Sequence, residues 1–214
     1  MHILVVHTLN HNSAHATPIE TALASVAARL SQLPGVVRIV PCYSNEGQPT
    51  ALVLTTWASQ ENWEAMQGTV STLLRWPSTT PAFSVRHEQV YDYLWGFYRP
   101  GPAASYLARV TASPKDEERL RACAQQFTFM PAISSAFLAR EQATGHLILV
   151  VMLSGNDTAA ISYQIQDLIA AHLPQEDNTA TCPAQIIARI LQSEPAHSLA
   201  KDQTPPTIAL RGYR

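Results

Sequence analysis

The stretch Thr50–Gln67, TALVLTTWASQENWEAMQ, decides how this chain is read. Ala51 to Thr56 has the apolar, β-branched make-up of a buried strand, and it ends on Trp57. A helix start follows at Ser59, with Glu61 in the first turn, where a negative charge suits the helix dipole. Trp63 and Met66 stand three residues apart and so share one face of that helix.

Working outward, His2 to Thr8 (HILVVHT) reads as a central strand and Leu9 to Ala16 as a polar loop. Thr17-Pro18-Ile19-Glu20 is a helix start, with Thr as cap, Pro at the first helical position and Glu three after the cap. Ile19, Leu23, Val26, Leu30 and Leu33 make one apolar helix face, and Pro34-Gly35 ends it. Val36 to Tyr43 is a second strand, and Asn45-Glu46-Gly47 is a turn. The helix from Ser59 runs to about Trp76 and stops at Pro77, and Ala82 to about Tyr93 is a fourth strand. The order is β-α-β-β-α-β, a ferredoxin-like unit.

The second half repeats that order. Ser113-Pro114-Lys115-Asp116 lies 96 residues after Thr17-Pro18-Ile19-Glu20, and the same offset carries Leu52-Val53-Leu54 onto Ile148-Leu149-Val150 and Trp57 onto Leu153. Strands are expected at Ser105–Thr111, Ala136–Glu141, His146–Leu153 and Pro183–Leu191, with a helix over Asn156–His172. This is an internal duplication. The expected domains are 1–94, an N-terminal unit holding the active site; 95–103, a Pro- and Gly-containing linker; 104–192, a C-terminal unit; and 193–214, a tail. A four-stranded sheet with helices on one face leaves its other face bare. Two fused units would cover each other, giving an α+β fold of two tandem ferredoxin-like units in one intrachain pseudo-dimeric barrel.

Composition narrows the function. With 214 residues and 46% hydrophobic content the chain can build a sizeable core. A net charge of -2 and the absence of a basic block argue against nucleic acid. Cys42, Cys123 and Cys182 have neither metal-ligand nor disulfide-framework spacing, which fits a reducing cytoplasm. No signal-peptide pattern and no apolar run near the ~20 residues of a membrane span is present. His7, His11 and His15 have the four-residue spacing of a helical metal pair, but they fall in a strand and a loop, so no metal is expected. No cofactor motif of the P-loop or dinucleotide type occurs.

A strand ending in Trp57, a polar turn and then an amphipathic helix with Trp63 and Met66 resembles the antibiotic biosynthesis monooxygenase family. The resemblance covers about residues 1 to 94 and extends to the remainder by fold. It implies a ferredoxin-like domain of the dimeric α+β barrel type. It also implies oxidation of an aromatic polyketide, of anthrone or phenol type, to a quinone with O2 and no cofactor. Typical members are single units that dimerise, so a monomeric pseudo-dimer or a homodimer is expected here. The family's site residues are an Asn near the first strand, a Trp at the end of the third and an Arg on the fourth. Trp57 and Arg86 match, and Asn10 and Asn12 both lie near the Asn position. The first and third strands are expected to be adjacent and parallel, which would put the end after Thr8 beside Trp57, with Ser84 and Arg86 at that same mouth.

Acidic phenols can pass an electron to O2 once deprotonated, so the protein need only hold and stabilise the anion. Arg86, the Trp57 indole N–H and an Asn amide are suitable donors. His87 or His11 would remove the proton. Arg86 and His87 alternate on the strand and so face opposite ways. His11, Trp63, Met66 and Tyr91 complete the expected substrate contacts, core packing being the other reading of the last three. Competing functions are a polyketide cyclase using the same pocket, a haem-binding protein with His87 as axial ligand, and a non-catalytic small-molecule sensor.

Overall fold

Five consecutive residues of the first strand, from Ile3 to His7, are buried, so both faces of that strand are covered. The computed structural model, which describes residues 1–12, 18–44, 50–75, 82–99, 104–154, 158–173 and 185–190, shows what covers them. The elements are β1 (Ile3–His11), α1 (Ile19–Leu30), β2 (Val36–Ser44), β3 (Thr50–Trp57), α2 (Gln60–Leu74) and β4 (Phe83–Tyr98). They are followed by β5 (Tyr106–Ala112), α3 (Glu117–Gln126), β6 (Ile133–Glu141), β7 (Leu147–Leu153), α4 (Thr158–His172) and β8 (Gln185–Ile190). The strands close into an antiparallel barrel in the order β1-β3-β2-β8-β5-β7-β6-β4. One face of each strand looks into the lumen and the other is available to helices.

Local sequence explains the elements. Ser59 caps α2, its side chain accepting from the Asn62 backbone N–H at 3.3 Å, and Glu61 lies in the first turn. Helix α1 begins at Ile19 behind Pro18 and buries Ile19, Leu23, Val26 and Leu30. Gly35 turns the chain into β2 with φ at 84°, a left-handed conformation that favours glycine. Three cores result. Two are sandwiched between sheet and helices, one under each half of the chain, and the third fills the lumen with Leu4, Val6, Val40, Leu54, Tyr91, Phe137 and Met152 among others.

Two expectations are corrected. Strand β3 is antiparallel to β1, Ile3 pairing with Trp57 and Asn10 with Thr50. The reason is topological: α1 returns the chain so that β2 starts in the direction of β1, and β3 then pairs antiparallel to both. The segment from Trp95 is also not all linker, because β4 continues to Tyr98 and pairs with β6 from Tyr91↔Glu141 to Tyr98↔Ser135. That ladder and the pairing of β2 with β8 are the two seams that close the barrel. Thr17, Asn45-Glu46-Gly47, Pro77, residues 100–103, Cys182 and the tail 193–214 lie outside the described residues. Among the described residues no helix is long and apolar enough to cross a membrane.

Gly96 sits in the β4–β6 seam beneath the Tyr93 hydroxyl. A Cβ there would overlap that oxygen and come 2.9 Å from the Ala136 carbonyl oxygen. Gly96→Ala is therefore expected to destabilise the barrel by about 1–3 kcal/mol in denaturant unfolding, with part of the loss recovered when Tyr93→Phe is added. An unchanged unfolding midpoint would show that the seam is looser than described.

Candidate active site

On β1 the odd-numbered residues Ile3, Val5 and Leu9 pack into the helix-side core. His7 has the same parity, so an imidazole is placed in an apolar layer, 1% exposed. Its Nε2 lies 3.1 Å from a carboxylate oxygen of Glu88, its partner across the β1–β4 ladder. A carboxylate only accepts, so Nε2 carries the hydrogen, and in the neutral ring Nδ1 is left as a bare acceptor. That Nδ1 is buried and has no hydrogen-bond partner among the described residues.

Trp63 of α2 closes over this imidazole, ring centroids 5.9 Å apart and planes at 64°. It is fully buried, and its indole N–H likewise has no partner among the described residues. Trp57 packs behind it, with centroids 5.4 Å apart. Further along the same face His11 meets Phe83 at 5.6 Å and leaves its own buried Nε2 unpartnered. These are the three buried side-chain polar atoms left unpaired among the described residues, and all belong to the helix-side layer of the first half. Leaving a buried donor or acceptor unpaired costs about 1–3 kcal/mol, so three such atoms in one layer make it the polar anomaly of an otherwise apolar core.

Electrostatics agree with this geometry. The hydrogen bond from His7 holds the Glu88 carboxyl below its usual range, partly opposed by desolvation. Burial pushes the Cys123 thiol up to about 12 and raises Cys42 further, so neither thiol is a nucleophile near neutrality. Among the described residues no three of His, Cys, Asp and Glu converge.

The residues expected to form the mouth and its substrate contacts do not converge on one place. Trp57, Trp63 and Met66 do meet, in the helix-side core. Trp57, however, donates its indole N–H to Thr55 Oγ1 at 2.9 Å, so it has no free donor to offer; the free one belongs to Trp63. Asn10 pairs with Thr50 and Ser84 at the other end of β1 from Trp57, ~23 Å away along a strand of this length. The Asn12 backbone N–H, at that same far end, donates to the Ala82 carbonyl at 2.8 Å. Arg86 occupies a bulge in β4, and both it and His87 are exposed, so neither joins the buried cluster and His87 faces no enclosed cavity. Tyr91 points to the opposite face, into the lumen, where burial pushes its hydroxyl up to about 12. The expected parallel pairing of β1 with β3 is what misplaced Trp57 relative to the asparagines and Arg86, which do lie at one end of β1. His7 carried a legible signal, a histidine in the buried register of an apolar strand. Glu88 carried none, because only the β1–β4 register brings it to His7.

No protein-family model and no curated sequence matches the chain. Solved structures do. A candidate monooxygenase of Fusobacterium nucleatum subsp. nucleatum superimposes with a TM-score of 0.65 at 10% identity, over 88% of this chain and 91% of that one. An anthrone oxidase-like protein gives 0.56 at 12% identity, over 89% and 91%. A candidate chlorite dismutase gives 0.59 at 9% identity, over 89% and 95%. At these identities the likeness is one of fold, and it extends over both halves of the chain.

Proposed function

We propose that the protein is an oxygenase that converts an anthrone- or phenol-type aromatic polyketide to a quinone with O2, and that the His7–Trp63 pair is its active site. The observation that carries this reading is the burial, in ring contact, of a base, His7 Nδ1, and a donor, Trp63 Nε1–H, each without a partner among the described residues. A weakly acidic aromatic substrate supplies what each lacks. Its proton passes to Nδ1, Glu88 steadies the resulting imidazolium, and the oxyanion accepts from Trp63. The electron-rich anion gives one electron to O2. Superoxide and the substrate radical then combine at carbon, the proton returns to the peroxide, and loss of water leaves the carbonyl. A CH2 group and O2 thus become C=O and H2O, with the substrate as reductant and no cofactor required by the electron count.

Names of the structural neighbours, a candidate monooxygenase and an anthrone oxidase-like protein, accord with this chemistry. The repeated element order accords with a fused pair of units in which the first keeps the reactive layer. Val53, across from His7, and Leu149, across from Val110, lie 96 residues apart, so the second half holds valine where the first holds its base. Helix α2 buries only Trp63, Val70 and Leu74 along its length, so few side chains cover the His7 layer from that side. The same base and donor would also serve a non-redox cyclisation, which the presence or absence of O2 distinguishes.

Mixing the protein with an anthrone in air is expected to consume O2 and yield the quinone, while the anaerobic mixture stays unchanged. Turnover at equal rate without O2 would replace oxygenase by cyclase. His7→Gln is expected to lower the rate by about 10²- to 10⁴-fold, and Trp63→Phe by about 10²- to 10³-fold. Trp63→Phe removes an unpaired buried donor, so its melting temperature should hold or rise. Trp57→Phe breaks the bond to Thr55 and should lose about 1 kcal/mol of stability with little specific loss of rate. The opposite pattern for the two tryptophans would move the site to Trp57.

Glu88 adds a pH test. Its carboxyl titrates below the usual range when folded, so its contribution is present above the unfolded value of about 4.5 and disappears as pH falls through the lower folded value. The melting-temperature gap between wild type and Glu88→Ala should therefore narrow from about pH 6 to about pH 3. A constant gap would remove the His7–Glu88 bond from the argument.

A further inference from the structure

The other face of the sheet holds a second unsatisfied group. Arg38 of β2 enters the lumen end of the barrel, half-buried, with Nη2 3.4 Å from Ser135 Oγ and 3.1 Å from Met152 Sδ. Its guanidinium lies 5.4 Å from the centre of the Tyr98 ring. None of these partners is anionic, and among the described residues no carboxylate forms an ion pair with it. A partly desolvated guanidinium is normally matched by an acid. Burial lowers the Arg38 pKa from its ordinary value, in keeping with a cation short of a counter-charge.

The surroundings define what the missing partner looks like. Tyr93 lies near Arg38, and its ring stacks on Phe137 at 6.0 Å with planes 25° apart. Gly96 gives that ring its space. Tyr98 is 65% exposed, so this end is open to water, whereas Ser135 and Met152 are fully enclosed. Arg109, deeper on the lumen-facing register of β5, also has no acidic partner among the described residues. Glu141, an acid near the other rim, is held by Gln89 at 2.9 Å and by Thr144.

We propose that this mouth of the barrel binds a planar aromatic carboxylate, with Arg38 as the charge partner and Tyr93, backed by Phe137, and Tyr98 as the flat wall. A guanidinium offers a forked pair of N–H groups that fits a carboxylate, and aromatic rings accept a flat body. The site draws on β2, β4, β6 and β7, so both halves of the chain contribute to it. It lies across the sheet from His7 and does not depend on the reaction assigned there.

Calorimetric titration of the full chain with 2-naphthoate tests it. Binding is expected to saturate, with naphthalene-2-carboxamide and acetate each at least about tenfold weaker, the worth of one charged hydrogen bond or of the aromatic wall. Arg38→Met should lower 2-naphthoate affinity at least about tenfold while keeping the melting temperature, because it removes an unpaired charge and preserves the stem. His7→Gln should bind as wild type does, which separates this site from the one under α2. No saturation, equal affinity for the carboxamide, or unchanged affinity in an Arg38→Met protein that folds would each overturn the proposal. If Arg38→Met fails to fold, Tyr93→Leu is read in its place, with the same tenfold loss expected and an unchanged affinity counting against the site.

Discussion

Closure of eight antiparallel strands puts each one between two environments, the barrel lumen and the helix layer. Side chains alternate between them with period two, so a change of one residue in register would exchange the contents of the two layers. The β1–β3 ladder from Ile3↔Trp57 to Asn10↔Thr50 and the β1–β4 ladder set that register for the first half. Through it His7 joins Trp63 under α2, while Arg38, Tyr91 and Tyr93 are assigned to the lumen. Both polar clusters are consequences of this alternation.

The two halves spend their buried layers differently. Under α3 and α4 the core is Val110, Leu120, Phe127, Leu138, Leu149, Ile165 and similar residues, with no unpaired side-chain polar atom among those described. Under α1 and α2 the corresponding layer contains His7, Trp57, Trp63 and a buried Thr55. An apolar half tolerates no unpaired polar groups and needs none, and its packing can compensate for a partner layer that carries three. Apolar packing and buried polar groups are in this way divided within one continuous barrel, with β4 belonging to both sides of the seam.

Tryptophan chemistry shows how little residue type settles alone. Trp57 and Trp63 are both fully buried, in contact, and on the same core. Their difference is a single hydrogen bond: Trp57 reaches Thr55 two residues back on its own strand, and Trp63, on a helix, finds no partner among the described residues. A donor already satisfied contributes to folding, whereas an unsatisfied one is available to a ligand.

Local signals were enough for much of the architecture. Apolar runs marked β1, β3 and β7, and Ser59 and Glu61 marked the start of α2. The aromatic character of the layer under α2 was also legible, because Trp57, Trp63 and Met66 lie within one short stretch. Strand direction was not, since pairing depends on how the connections turn, and with it went the placement of Trp57 relative to Asn10, Asn12 and Arg86. Nor could the chain alone join His7 to Glu88, 81 residues on, or seat Arg38 beside Ser135 and Met152. Periodicity and capping act over a few residues and are written locally. Which acid meets which base depends on the register between distant strands, and that is decided only when the barrel closes.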